Sequence, residues 1–596
     1  MTKPTGASER TVKAFLLCLW LLQIAVQRGA VAAELPDVEY VMYSDPKFES
    51  PPVRIEITSR PLDLWLETLQ KPYPKLQRQI VDTIAVAKER GVPGVQRAVD
   101  PLVQLLSQSD LDPLLRRSLV KALVTLDAKE HAPLLVEQAL RHGRAVSSIV
   151  EPALVHWQDA SMREDWRRRL SEPSTDAFSL RVAVEGLGAI DDKDSADALR
   201  TLVLSQNDPA SIRLASASAL ADLFDQGLVE LANELDSSSD GDRFAPLLAV
   251  RLLRRHSDAM AVRLLNSLAN RDQASVKTAA LERLFELDPQ NVVTLGESSI
   301  DHPDVNVRRI VAKAYFVRPA VELLGPLANL MNDPNPELRQ SVAEMLFELA
   351  GNEELRDEVL IQATRVLGGD DWRGCEQATR VLVALDHKVS GQRLTELIWH
   401  PRGEAMVAAG WGLGVLRMDE HLPAMLARAV DLDQGFRVGK YTPIDQGPTD
   451  LQAQLFLAFG QQRFAPSEGL MRKYVIKDFS LGERARAAAC WSLGWIREND
   501  PESRLVSSMV ARVRDVRGEE PEFEEVRRMC AISLGRMNAR SAIKDLREFA
   551  SPMPGSGRAC FWSIEKMTGE PIPPFREGFP LDYTDWFLQP LDSDQQ

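Results

Sequence analysis

The repeating pattern of this chain is clearest in residues 332–349, which read Asn-Asp-Pro-Asn-Pro-Glu-Leu-Arg-Gln-Ser-Val-Ala-Glu-Met-Leu-Phe-Glu-Leu. The opening turn predicts that one helix ends and another begins near Glu337. Proline suits a first helical turn, and Asp333 can accept free backbone N–H groups there. The apolar residues that follow at i, i+4, i+8 and i+11 are Leu338, Val342, Leu346 and Leu349. That spacing is typical of one face of an α-helix.

Leu346 belongs to a ladder of equivalent residues along the chain. Its members are Leu123, Leu154, Leu187, Leu220, Leu252, Leu284, Tyr315, Leu346, Leu382, Leu413, Phe459, Leu493 and Leu534. Neighbouring members are 31 to 36 residues apart, except for two gaps of 46 and 41 residues. A period this steady indicates helix-turn-helix units that stack, since one helix pair cannot bury its apolar stripe alone.

A basic residue stands seven positions before the ladder residue in several units. These basic residues are Arg116, Arg213, Lys277, Arg308, Arg339, Arg486 and Arg527. With an Asp in the preceding turn, they predict a structural ladder of ion pairs between consecutive turns.

Four units also end in Leu-Gly, at Leu187-Gly188, Leu413-Gly414, Leu493-Gly494 and Leu534-Gly535. The turn Asp-Pro, the following Arg and this ending together resemble the HEAT-like repeat, in particular the short PBS-lyase-type version first named from bilin lyases. The resemblance covers roughly residues 75–550. It implies an all-α fold, an α-solenoid of about 13 to 15 stacked HEAT-like helical hairpins, and says little about function.

Residues 1–33 predict a secretory signal peptide. Lys3, Arg10 and Lys13 precede an apolar run over 14–26, and small residues precede Glu34. Cleavage is expected after position 32 or 33, which places the mature chain in the periplasm or outside the cell. The alternative is an inner-membrane anchor formed by an uncleaved 14–26, although that run is short for a bilayer.

The rest of the chain divides into three parts. Residues 34–60, rich in proline, are expected to form an extended lead-in that lies against the first helices. Residues 61–550 form the repeat solenoid, which is irregular and carries an inserted loop at 431–450. Residues 551–596 form a C-terminal cap and tail, and the ending Thr568-Gly569 is similar to the closing unit of many exported bacterial HEAT-like proteins.

Charge and cysteine content exclude several kinds of partner and site. Residues 1–33 carry four basic side chains and Glu9, so their removal takes the formal net charge from −15 to −18. An acidic body disfavours nucleic acid and direct membrane binding. Cys490 and Cys530 occupy near-equivalent positions in adjacent repeats, where helix spacing is expected to exceed the reach of a disulfide. They, with Cys375 and Cys560, are interpreted as small buried residues.

No pattern of catalytic or metal-binding residues occurs in the sequence. The eight histidines are scattered, and the His-Glu dipeptides of HEAT-like deoxyhypusine hydroxylases are absent. We therefore expect no enzyme activity, no metal and no cofactor. The predicted function is a non-enzymatic protein–protein interaction scaffold or adaptor outside the cytoplasm, binding through its concave face or inserted loops.

Aromatic and basic residues in the inserted loop are the candidate partner contacts. They are Phe436, Arg437, Lys440 and Tyr441. The alternative hypothesis is an enzyme or ligand-binding module with a pocket in the irregular region 366–450.

Overall fold

The structure is a computed structural model that describes residues 34–48, 60–237, 241–552 and 555–574. In these ranges every regular element is a helix. The predicted signal peptide, its alternative membrane anchor at 14–26 and the tail beyond residue 574 lie outside the described residues. The chain forms two compact units. We call the unit that contains the described residues up to Ile310 from Arg60 onward the N-unit, and the unit that contains residues 34–48 and the described residues from Val311 onward the C-unit.

The helices of the N-unit are short and follow one another closely. They are α1 (Arg60–Leu69), α2 (Pro74–Glu89), α3 (Val99–Leu106), α4 (Pro113–Thr125), α5 (Ala132–His142), α6 (Arg144–Trp157), α7 (Arg163–Ser171), α8 (Ala177–Ala189), α9 (Ala196–Leu204), α10 (Ala210–Leu223), α11 (Val229–Ser237), α12 (Ala245–Leu252), α13 (Ala259–Ala269), α14 (Ala274–Leu287) and α15 (Pro289–Gly296). The boundary between the units falls within α16 (Val305–Val317).

The C-unit continues with helices of similar length. They are α17 (Val321–Asn329), α18 (Pro336–Leu349), α19 (Glu353–Leu367), α20 (Trp372–Ala384), α21 (Gly391–Leu397), α22 (Gly403–Leu416), α23 (Leu422–Arg437), α24 (Gln446–Gln461), α25 (Glu468–Val475), α26 (Glu483–Ile496), α27 (Ser503–Arg514), α28 (Glu524–Arg536), α29 (Ile543–Phe549) and α30 (Ser556–Thr568). Many of them are preceded by a single turn of 3₁₀-helix.

Helices pair in chain order, and the second helix of each pair packs against the second helices of neighbouring pairs. In the C-unit this produces one continuous layer, which we call the C-row: α20, α22, α24, α26, α28 and α30. The same arrangement joins α2, α4, α6, α8, α10, α12 and α14 in the N-unit. Each unit is therefore an all-α stack of HEAT-like helical hairpins, the α-solenoid architecture that the repeat predicts.

The ladder residues occupy the position that their spacing predicts. Each lies on the second helix of its pair, from Leu123 on α4 to Leu534 on α28, and none is more than 2% exposed. Burying a leucine contributes about 1.5–3 kcal/mol relative to leaving it exposed. The ladder is thus the centre of the core in both units.

The turn before α18 is built slightly differently from the prediction. Asn335, rather than Asp333, caps the helix, since its Oδ1 accepts the Leu338 N–H at 2.9 Å. Asp333 Oδ1 instead accepts the N–H of Asn335 at 2.8 Å and so shapes the turn. The helix begins at Pro336, one residue earlier than expected.

A glycine and a serine fix the spacing between neighbouring helices of the C-row. A Cβ on Gly494 would lie 2.4 Å from Ser533 Oγ, so only glycine permits this approach of α26 and α28. The Ser533 hydroxyl donates to the Cys490 carbonyl oxygen of α26 at 2.7 Å. The same pairing occurs at Gly460 with Ser492 and at Gly535 with Ser563.

This close approach also corrects the expected cysteine spacing. The Sγ atoms of Cys490 and Cys530 are 3.4 Å apart and in contact. From typical helix spacing we had expected these residues to lie too far apart for a disulfide. The four cysteines within the described residues, Cys375, Cys490, Cys530 and Cys560, are free thiols and buried, as predicted. Burial raises the pKa of Cys560 to about 12.

Two of the basic residues before the ladder form an ion pair with the next turn. Arg213 lies 2.5 Å from Asp242, and Arg486 forms two hydrogen bonds with Glu522. Arg527 instead pairs with Glu524 on its own helix at 2.9 Å.

The remaining basic residues before the ladder bind backbone of their own repeat or are buried. Arg308 and Arg339 donate to carbonyl oxygens of their own turns, at His302 and Pro303 and at Asp333 and Pro334. Arg116 and Lys277 are buried, at 8% and 7% exposure.

The predicted inserted loop is shorter than 431–450. Helix α23 continues to Arg437 and α24 begins at Gln446, so only residues 438–445 are a loop. The longer loop was wrong because Leu432 and Phe436 are buried on α23 and keep its helical period. An ion pair from Arg437 to Asp433, at i and i+4, supports the last turn.

Helix α30 forms the expected cap. It packs on α28 and α29. It ends at Thr568, and Gly569 follows with φ of 80°, the left-handed conformation of a helix C-terminus.

Candidate functional site

Residues 34–48, which we call the arm, lie along the C-row. The arm is extended apart from one turn of 3₁₀-helix at Val41–Tyr43, and Met42 within that turn is fully buried. Its contacts are with the C-unit's own helices, which replaces the expectation that it packs against the first helices. Residues 49–59 lie outside the described residues.

The amino-terminal half of the arm is held mainly through its backbone. Arg380 on α20 donates to the Pro36 carbonyl oxygen at 3.2 Å and also pairs with Asp37 at 2.5 Å. Gln454 on α24 donates to the Glu39 carbonyl oxygen at 3.0 Å. With the arm in place, both donors are at least nine-tenths buried.

Two tyrosines anchor the middle of the arm. The Arg484 guanidinium of α26 lies 4.7 Å from the centre of the Tyr40 ring, a cation–π distance. The Tyr43 hydroxyl donates to Glu525 of α28 at 2.6 Å. Burial raises the pKa of both tyrosines, and the hydrogen bond to Glu525 raises that of Tyr43 further. Both hydroxyls therefore stay protonated at neutral pH.

Asp45 makes the most concentrated set of contacts. Its carboxylate accepts from Arg536 at 2.7 Å and from Trp495 Nε1 at 3.1 Å, and its backbone carbonyl oxygen accepts from Trp491 Nε1 at 2.9 Å. Trp491 and Trp495 lie at i and i+4 on α26 and so present their indoles on the same side. The arginine is on α28, one helix further along the C-row.

Charge complementarity accompanies these contacts. The arm carries four carboxylates and one lysine. Three arginines of the C-row contact it, namely Arg380 on α20, Arg484 on α26 and Arg536 on α28. Beside the arm, a cavity of about 260 Å³ remains between Pro36, Val41 and the side chains of α20, α22 and α24. The C-row is thus a groove that holds an extended acidic segment.

The four predicted contact residues do not form one surface. Phe436 is buried, with its ring 5.8 Å from that of Tyr441, and Arg437 is engaged with Asp433. Lys440 and Tyr441 both line an open cleft of about 770 Å³, which lies within the irregular region 366–450.

The cleft is partly apolar and partly charged. Trp399 and Ile444 are 50% and 87% exposed at its edge. The guanidinium of Arg428 lies 4.6 Å from the centre of the Trp399 ring and is paired with Asp431. Among the described residues there is no group of three or more His, Cys, Asp or Glu side chains placed to hold a metal ion. In the same ranges, no helix has the length and apolar character needed to cross a bilayer.

The arm as a binding element was missed by sequence reasoning. Trp491 is 1% exposed, and its indole N–H donates to the arm. One feature of the sequence could have indicated the arm. Residues 34–48 are acidic and contain two tyrosines, and their charge is opposite to that of the arginines on α20, α26 and α28.

Comparison with known proteins gives matches only among solved structures. No family model matches the chain, and no curated protein sequence matches it. A crystal structure of importin beta in an ammonium sulfate condition is similar at 12% identity and a TM-score of 0.43, over 85% of this chain and 72% of that one. Kap95p bound to RanGDP gives 12% identity and a TM-score of 0.47, over 85% and 72% of the two chains.

Kap121p bound to RanGTP is similar at 10% identity and a TM-score of 0.47, over 85% of this chain and 56% of that one. All these TM-scores lie below 0.5. The solenoid fold therefore rests on the helix packing within each unit.

Proposed function

We propose that this chain is a non-enzymatic protein-binding solenoid and that the C-row is its binding surface for an extended segment of a partner protein. The observation that supports this is the arm itself, which is held along the row by side chains of α20, α24, α26 and α28. Most of these donors bind the backbone of the arm. A surface that binds backbone in this way accepts different extended sequences.

A direct test uses the arm as a probe. A labelled peptide of residues 34–48 is titrated into the chain that lacks those residues, with fluorescence anisotropy as the readout and far-UV circular dichroism to confirm folding. We expect saturable binding that unlabelled peptide displaces. A scrambled peptide should bind more weakly, because it loses the side-chain contacts of Tyr40, Tyr43 and Asp45. Gln454→Ala removes one donor to the backbone and should weaken binding about two- to tenfold. A folded chain that binds neither peptide would refute the proposal.

We also propose that the protein works outside the cytoplasm, in the periplasm or beyond it. The signal-peptide pattern of residues 1–33 supports this setting. Cleavage would place the new amino terminus at position 33 or 34, directly before the arm. Amino-terminal sequencing of the purified chain should begin there, and a chain that retains Met1 would favour the anchored alternative. Neither nucleic acid nor the membrane surface is proposed as a partner, because the body is acidic.

A second candidate is a small-molecule site in the cleft at Trp399. The cleft of about 770 Å³ is the observation that favours it, since binding sites are concave and partly apolar. A ligand bound there would raise the melting temperature by mass action. Trp399→Ala should remove that rise, and an unchanged rise would place the ligand elsewhere.

A further inference from the structure

Arg536 has an unusual environment for a charged side chain. Only 3% of it is exposed. Its guanidinium carbon lies 4.4 Å from the centre of the Trp495 ring, 5.1 Å from that of Trp491 and 6.0 Å from that of Trp562. Burial lowers the pKa of Arg536 to about 10, so at neutral pH it remains a cation among indoles. A buried cation of this kind requires an anion.

The arm supplies the main anion for this cation, and Glu498, just after α26, adds a weaker electrostatic attraction. Asp45 is the carboxylate in hydrogen-bond contact with Arg536, through Oδ2 at 2.7 Å. The Asp45 carbonyl oxygen also accepts from Arg536, at 3.3 Å. Within the described ranges, the Nη1 atom of Arg536 is buried without a hydrogen-bond partner, so the site still has an unused donor.

All the donors of this site are carried by helices and the acceptor is carried by the arm. Arg536, Trp491 and Trp495 are fixed on α28 and α26, whose spacing is set by the contact of Gly494 with Ser533. Such preorganised donors recognise a carboxylate with little loss of side-chain entropy.

A second carboxylate of the arm provides the contrast. Asp37 also meets an arginine, but its side chain is 76% exposed, against 33% for Asp45. Exposed ion pairs contribute little, and hydrogen bonds to a desolvated charge contribute much more. Of these two carboxylates, Asp45 is therefore the one expected to contribute more to sequence selectivity in the groove.

We infer that Arg536, Trp491 and Trp495 form an aspartate subsite, and that the partner of the groove is an extended acidic segment whose aspartate enters this subsite in place of Asp45. The inference rests on the proposed binding function of the C-row. In this arrangement the arm is an intramolecular occupant, and a partner binds as the arm leaves. The partner's remaining contacts are made largely through its backbone, as those of the arm are.

The experiment compares three peptides of residues 34–48 on the chain that lacks the arm. They are the natural sequence, Asp45→Asn and the matched control Asp37→Asn. We expect Asp45→Asn to weaken binding about 10- to 100-fold, the effect of losing a charge-assisted pair. Asp37→Asn should weaken it less than about fivefold. If the Asp45→Asn peptide binds as well as the natural one, the aspartate subsite is overturned while the groove itself stands.

The intact chain gives an independent form of the test, which also serves if the shortened chain does not fold. In the full-length Asp45→Asn protein the arm is a weaker competitor, so the natural peptide should bind about tenfold more tightly than it does to the unaltered protein. Equal binding to both proteins would overturn the subsite. Failure of every peptide on both chains would overturn the binding function as well.

Discussion

The buried pair of Arg486 and Glu522 offers the sharpest test of how the C-unit is held together. Both side chains are fully buried, and two hydrogen bonds of 2.8 and 2.7 Å join them. The change Glu522→Gln keeps the shape of the side chain but leaves the Arg486 cation without its counter-charge. Breaking one side of a buried pair costs about 3–5 kcal/mol. We expect ~3 kcal/mol, because the glutamine oxygen retains one acceptor.

Hydrogen exchange is the appropriate assay, since a repeat protein does not have to unfold in one step. A loss of ~3 kcal/mol predicts roughly a hundredfold faster exchange of the most protected amides in α26 and α28. Glu498→Gln is the matched control, because Glu498 pairs with an arginine that is 59% exposed. It should change the opening free energy by less than ~1 kcal/mol. Equal effects of the two substitutions would refute the reasoning.

The same pair predicts a pH dependence. Burial by itself would raise the pKa of Glu522. The hydrogen bonds and positive charge of Arg486, together with hydrogen bonds from the Phe523 N–H and Arg512, outweigh burial and hold that pKa below its ordinary 4.5. The stabilisation by Glu522 is therefore complete above the unfolded-state pKa and is lost as pH falls through the lower folded-state pKa. The difference between the natural protein and Glu522→Gln should shrink as pH is lowered below about 4.5.

Two further substitutions test the spacing of α26 and α28 and the buried ion pair of Arg213 with Asp242. Gly494→Ala would place a Cβ 2.4 Å from Ser533 Oγ and should lower stability by ~1–3 kcal/mol, whereas Gly469→Ala meets no atom within 4 Å and should be neutral or slightly stabilising. Similar melting temperatures for the two variants would contradict the close approach. Asp242→Asn should cost ~3 kcal/mol by leaving Arg213 buried and unpaired, and denaturant unfolding that matches the natural protein would show the pair to be dispensable.

Much of the fold was predictable because it repeats. A ladder spaced by about one helical hairpin identifies the second helix of each pair, and its members, such as Leu220 and Leu346, are all buried. Repetition supplies many independent observations of the same local pattern, so one repeat that departs from the pattern does not change the predicted fold.

The site was harder to predict, because it joins residues that are far apart in the sequence. Asp45 and Arg536 are 491 positions apart, and no local period connects them. Of the four candidate contact residues, Lys440 and Tyr441 line an open cleft. Phe436 is buried, because helix α23 continues to Arg437 through the expected start of the loop.

The sequence alone determined the helical repeat, its register and the residues of its core, since each depends on local spacing along one hairpin and its neighbours. The exported setting remains a prediction from residues 1–33. Only the tertiary structure decided where the arm lies, how closely α26 and α28 approach, and that Cys490 and Cys530 touch. Those features depend on contacts between residues separated by tens to hundreds of positions, which side-chain packing specifies and local periodicity does not.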